Sequence, residues 1–134
     1  MAAEPFNVVL GDDGALVRAR LRAALTAVPG IGVVAEASDT TGTIELIRSV
    51  QPALVIVDLM MPGGGGLAVL RWMQEAHVNA TRIVWTNWAL PEYRARCQRA
   101  GANYLFDKSY DLDALIRTVR SLLPPPGNCT EPDP

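Results

Sequence analysis

Asp12, Asp13, Asp58, Thr86 and Lys108, the chain's only lysine, are the residues of this sequence best able to do chemistry together. Gathered at one place, three carboxylates repel each other, and a single ammonium leaves two negative charges uncompensated. A divalent cation with oxygen ligands balances that charge. Mg²⁺ suits it best, because it needs only one or two carboxylates and keeps several waters. Such a centre fits phosphoryl transfer, where catalysis is mostly positioning and neutralisation of oxygen charge. A carboxylate can itself attack phosphorus, giving an aspartyl phosphate. The Thr86 hydroxyl can then donate to a phosphoryl oxygen, and Lys108 can neutralise another.

The elements that must gather these residues are legible as five alternations of a short apolar run and a helical pattern. Val8 to Leu10 reads as the first strand and ends in Gly11-Asp12-Asp13-Gly14. Val17, Leu21, Ala24, Leu25 and Val28 recur at helical spacing, and Pro29-Gly30 stops that helix. Val33 to Ala35 is the second strand, followed by a helix from about Thr41 to Val50. Ala53 to Val57 is uniformly apolar, as in a strand covered on both faces, and Asp58 ends it. Four glycines, Gly63 to Gly66, lead into a helix that Leu67 opens, with Leu70 and Met73 inward. Ile83 to Trp85 is the fourth strand, and Pro91 to Ala100 a helix whose apolar face is only Tyr93, Cys97 and Ala100. Tyr104 to Phe106 is the fifth strand, and Leu112 to Leu123 the cleanest amphipathic helix.

Five strand–helix pairs predict a parallel sheet with helices on both faces. Ligands of such sheets bind beyond the carboxyl ends of the strands. The first strand delivers Asp12 and Asp13 there, the third Asp58, the fourth Thr86 and the fifth Lys108. Glu36, one residue beyond the second strand, reads as peripheral.

The 134 residues, 49% hydrophobic and 19% charged, favour one folded domain and exclude a disordered or fibrous chain. A net charge of −2 gives no positive field to hold nucleic acid, so no direct nucleic-acid binding is expected of this domain. No apolar run is long enough to span a bilayer and no signal peptide is visible, so no membrane contact and a cytoplasmic location are expected. Cys97 and Cys129 make no metal spacing with His77, and a reducing compartment fits them. Residues 1–123 read as the folded domain and 124–134 as a flexible proline-rich tail or linker stub.

With these residues in place, the sequence resembles the receiver domains of bacterial two-component response regulators, members of the CheY-like superfamily. The matching pieces are Asp12-Asp13, Asp58-Leu59, Met61-Pro62, Gly66-Leu67, Thr86, Ala100-Gly101 and Lys108, spanning roughly residues 6 to 123. The resemblance implies a doubly wound, flavodoxin-like fold of five parallel strands in order 2-1-3-4-5 with five helices. It implies that Asp58 takes a phosphoryl group from a sensor histidine kinase, and that the domain catalyses only its own Mg²⁺-dependent phosphorylation and dephosphorylation. Mg²⁺ would be held by Asp13, Asp58, the Met60 carbonyl and, through water, Asp12. Thr86 and Lys108 would sense the phosphoryl group, and a homodimer could form through helix four, strand five and helix five. The sequence departs from the family at Ser109, where proline is common, and at Leu105, where an aromatic is usual. Met60 and Trp88 stand where family side chains flank the path of attacking water; inward placement is expected.

Two other readings compete. A haloacid-dehalogenase-type phosphatase needs a second aspartate two residues after the first, and that position is Met60. A phosphate-independent pseudo-receiver acting as a docking module would be expected to lack one of Asp58, Lys108 or the acidic pair. The glycine run is followed by no Gly-Lys-Ser/Thr, so it does not read as a nucleotide loop.

Overall fold

The computed structural model describes residues 5–124. Five strands and five helices alternate through them: β1 (Phe6–Gly11), α1 (Ala15–Thr26), β2 (Ile31–Ala37), α2 (Thr40–Val50), β3 (Leu54–Val57), α3 (Gly65–Glu75), β4 (Thr81–Thr86), α4 (Pro91–Arg99), β5 (Tyr104–Asp107) and α5 (Leu112–Leu122). The strands form one parallel sheet in the expected order β2-β1-β3-β4-β5.

The apolar β3 lies at the centre and is buried along its length. Successive side chains of a strand point to opposite faces, so each strand feeds two cores. Val55 and Val57, with Val9 and Val84, pack against Ile47, Leu70, Met73 and Cys97 of α2, α3 and α4. Leu54 and Ile56, with Val8, Leu10, Ile83 and Trp85, pack against Leu21 and Leu25 of α1 and Leu115 and Val119 of α5. At about 25 cal/mol per Å² of apolar surface, these two layers supply the main drive for folding.

Several boundaries differ from expectation. Strands β1, β2 and β4 are longer than their apolar runs, so Glu36 lies within β2 rather than one residue beyond it. Val28 lies past the end of α1, although its side chain is buried. Helix α3 begins at Gly65 rather than at Leu67. Gly63, Gly64 and Gly65 all take positive φ, which only glycine adopts freely, and they turn the chain sharply into the helix. At Gly66 the requirement is space: a Cβ there would lie 2.5 Å from the Asp58 carbonyl oxygen. The four glycines therefore seat the start of α3 against the end of β3. Apart from Pro124, the expected tail lies outside the described residues, as does Cys129; Cys97 is buried and unbridged.

Candidate functional site

The carboxyl ends of the strands bring Asp12, Asp13, Asp58, Thr86 and Lys108 to one edge of the sheet. Asp12 follows β1 directly, and its backbone N–H donates to the Ala37 carbonyl at the end of β2 (3.0 Å). Asp12 Oδ1 accepts the Gly14 N–H at 2.8 Å, a turn in front of α1, whose N-cap residue Gly14 has no side chain to offer. Asp58 follows β3, and its N–H donates to the Gly11 carbonyl at 2.9 Å. Its Oδ1 accepts a long bond from the Met60 N–H, 3.3 Å. Asp12 and Asp58 are buried and Asp13 is exposed, yet one carboxylate oxygen of each lies within 4.8 Å of the others.

Lys108 answers part of this charge. Its backbone N–H is tied to the Thr86 carbonyl at 2.9 Å, which fixes where the side chain starts. The ammonium then reaches Asp58 Oδ2 at 2.8 Å and Asp12 Oδ2 at 2.5 Å. The second contact is a close ion pair, and among the described residues Asp12 Oδ2 has no partner other than Lys108. Burial alone would pull the Lys108 pKa down; the carboxylates of Asp12 and Asp58 overcome this and hold it above the usual lysine value. Thr86 is fully buried at the end of β4 and accepts the Trp88 N–H on Oγ1 at 3.1 Å, so its own hydroxyl proton remains free to donate.

This donor set fits a hard divalent cation. It is all oxygen and carries more negative than positive charge, the one ammonium being shared between Asp12 and Asp58. Among the described residues no hydrogen bond ends on the Met60 carbonyl, which leaves it available as a further oxygen ligand.

Residues singled out around the site are placed less uniformly. Met60 and Trp88 are each about half open to solvent (52% and 47%), so neither is fully turned inward. Leu105 is half-buried, with Tyr104 and Phe106 stacked beside it at 6.2 Å between ring centres. Glu36, read as peripheral, is joined to the site through Arg18, which the sequence reading did not single out. Arg18 Nε donates to Glu36 Oε1 at 2.9 Å and Arg18 Nη1 to the Asp12 carbonyl at 2.5 Å. Arg22 also reaches Glu36. Burial raises the Glu36 pKa, but bonds to Arg22 and Arg18 outweigh it and hold the carboxyl below its usual range.

Comparison with known proteins adds a family to this geometry. The family model described as "Response regulator receiver domain" matches residues 8–120. The nitrate/nitrite response regulator protein NarL of Escherichia coli K12 is 35% identical over 116 residues, which are 87% of this chain and 54% of that protein. The response regulator UvrY of the same organism is 32% identical over 117 residues, again 87% of this chain and 54% of the relative. The chain thus spans about half the length of the curated relatives it matches. Among solved structures, a LuxR-family two-component response regulator from Aurantimonas sp. SI85-9A1 superposes with a TM-score of 0.80 at 29% identity, covering 87% of this chain and 83% of that one. The signal receiver domain of a NarL response regulator from Mycobacterium tuberculosis superposes with a TM-score of 0.82 at 25% identity, covering 89% and 96%.

Proposed function

The chain belongs to the response regulator receiver family, and from that premise we propose that it is a switch in which Asp58 accepts a phosphoryl group from a sensor histidine kinase. As a receiver domain it is a signalling module and not a metabolic enzyme. The observation that carries the reading is Lys108, its ammonium set between Asp12 and Asp58 within a group of carboxylates that one lysine cannot neutralise.

In this reading Asp13, Asp58, the Met60 carbonyl and, through water, Asp12 would hold Mg²⁺, which when bound neutralises phosphoryl oxygens. An Asp58 oxygen attacks phosphorus in line. The new O–P bond forms as the bond to the donor breaks, and that electron pair leaves with the donor. Lys108 then exchanges its contact with the Asp58 carboxylate for one with a phosphoryl oxygen, and Thr86 donates its free hydroxyl proton to another. Around the rim Leu16 and Tyr110 are more than four-fifths exposed, apolar surface on which a phosphodonor protein could seat. The α4–β5–α5 face serves as output or homodimer surface, and the domain itself touches no nucleic acid. Among the described residues no helix is long and apolar enough to cross a membrane.

The test is intact-mass measurement after incubation with acetyl phosphate and MgCl₂. One phosphoryl group per chain is expected, and none on Asp58→Asn, because an amide is a poor nucleophile. Undiminished labelling of that variant would overturn the assignment. A parent chain that takes up no phosphoryl group would point instead to a phosphate-independent docking module.

A further inference from the structure

Arg18 stands in the first turn of α1, and its guanidinium spans two places that the sheet brings together. One arm reaches Glu36 on β2, in register opposite Leu10 of β1, and the other reaches the backbone carbonyl of Asp12. We propose that Arg18, held by Glu36, is a positioning residue for Asp12 and thereby sets the affinity of the acidic cluster for a divalent cation. The proposal rests on the receiver reading above.

The geometry gives each group a task. Four polar atoms of Asp12 are engaged. Its N–H bonds Ala37, its Oδ1 receives Gly14, its Oδ2 faces Lys108, and its carbonyl receives Arg18. Only the last of these bonds draws on a side chain from outside the cluster. Without it the β1–α1 turn keeps its local Gly14 contact but loses the tie that stops the peptide after Asp12 from rotating. A guanidinium is the group for this, because its planar fork serves two acceptors at once while an ammonium is a single point. Glu36 has a second task. An uncompensated cation beside the cluster would compete electrostatically with a metal ion, and the Glu36 carboxylate, which it shares with Arg22, offsets part of the Arg18 charge at 2.9 Å. Arg22 provides an internal control: it bonds the same Glu36, with no contact to Asp12.

The experiment is calorimetric titration of the full chain with MgCl₂, with thermal melting in EDTA recorded for each variant. Arg18→Ala should weaken Mg²⁺ binding about tenfold, the low end for partners that orient a ligand rather than ligate. Arg22→Ala should stay within twofold of the parent. Arg18→Lys should fall between. With acetyl phosphate, the phosphorylation rate of Arg18→Ala should return to within twofold of the parent at saturating Mg²⁺, since Asp58 itself is unaltered. A merely structural role would lower the melting temperature of Arg18→Ala and leave its Mg²⁺ affinity at the Arg22→Ala value; that result overturns the proposal. Should Arg18→Ala not fold, an unchanged affinity in Arg18→Lys overturns it equally. Failure of the parent to take up Mg²⁺ would remove the receiver reading and this inference with it. A parent that binds normally beside an indifferent Arg18→Ala removes the inference alone.

Discussion

Lys108 Nζ lies 2.8 Å from Asp58 Oδ2 across fifty residues of chain. Two separate strand ends hold that distance. Asp58 is pinned through its N–H to Gly11 and Lys108 through its N–H to Thr86, so the sheet and not the side chains fixes the pair. Because the same ammonium also faces Asp12, the site is a negative cluster with one internal counter-charge, and its repulsion has measurable consequences.

Asp13→Asn should make the cation-free protein more stable by about 1 kcal/mol, the interaction of two unit charges a few ångströms apart in a largely aqueous setting. Urea denaturation in EDTA measures this. In excess MgCl₂ the advantage should shrink or reverse, because the parent is then stabilised by the ion it binds. A variant no more stable than the parent in EDTA would mean that the cluster carries no net repulsion.

Gly66→Ala separates helix propensity from packing. Alanine inside a helix usually gains up to about 1 kcal/mol over glycine. Here its Cβ would meet the Asp58 carbonyl oxygen at 2.5 Å, backbone that cannot swing aside. Overpacking of this kind costs about 1–3 kcal/mol, so the clash wins and the variant should be less stable than the parent in urea.

Acid should weaken the Arg18–Glu36–Arg22 tie. Burial raises the Glu36 pKa and the two arginines lower it further than burial raises it, so the folded value sits below the unfolded one. Its contribution is therefore present above the unfolded carboxylate pKa and is lost as pH falls through the folded value. Measured between pH 6 and pH 3, the stability of Glu36→Gln should fall less steeply than that of the parent. Parallel curves would show that the tie contributes nothing to stability.

Helix α4 should be the least protected of the five helices in hydrogen exchange. Within it only Cys97 is buried, whereas α3 buries Val69, Leu70 and Met73. Its amides should exchange at least about tenfold faster than those of α3, a difference of ~1.4 kcal/mol in opening free energy. After treatment with acetyl phosphate and MgCl₂, changes should extend from Trp88 to Leu123. Changes confined to the surroundings of Asp58 would exclude the α4–β5–α5 face as the output surface.

The phosphoryl group should be long-lived. Met60 and Trp88 are large, apolar and half-exposed at the rim, and neither can orient a water as an amide or carboxylate does. Replacing Met60 with Asn and Trp88 with Glu should speed its loss about tenfold, a barrier change of ~1.4 kcal/mol. Equal decay in parent and double variant would show that neither side chain guards the phosphorus.

Most of the fold, and the gathering of Asp12, Asp13, Asp58, Thr86 and Lys108 at one sheet edge, was readable because four of the five strands are short apolar runs that lead directly into these polar residues. Asp58 directly after Leu54–Val57 is the clearest case: a carboxylate closing a buried strand needs partners, and here it has Lys108. Other features were not readable, for identifiable reasons. The pairing of Arg18 with Glu36 depends on α1 folding back beside β2, and nothing in the eighteen-residue spacing distinguishes Arg18 from Arg20 or Arg22. The early start of α3 was hidden because Gly65 and Gly66 are poor helix formers; contact with the ends of Leu59 and Asp58 overrides that preference. Glu36 looked peripheral because the second strand was read as ending at Ala35; β2 in fact continues to Ala37, and the link of Glu36 to Asp12 runs through an arginine.

Thr86 holds two loops by two different atoms. Its hydroxyl oxygen receives the Trp88 N–H and its carbonyl receives the Lys108 N–H, so the segment leading to α4 and the one leaving β5 hang from a single residue. Mechanically it is a crank with two arms. A backbone shift at Thr86 would displace both segments in the same stroke, whereas rotation of its side chain alone would release only the Trp88 contact. The acidic edge and the α4 side of the molecule are thus joined through the backbone of one residue.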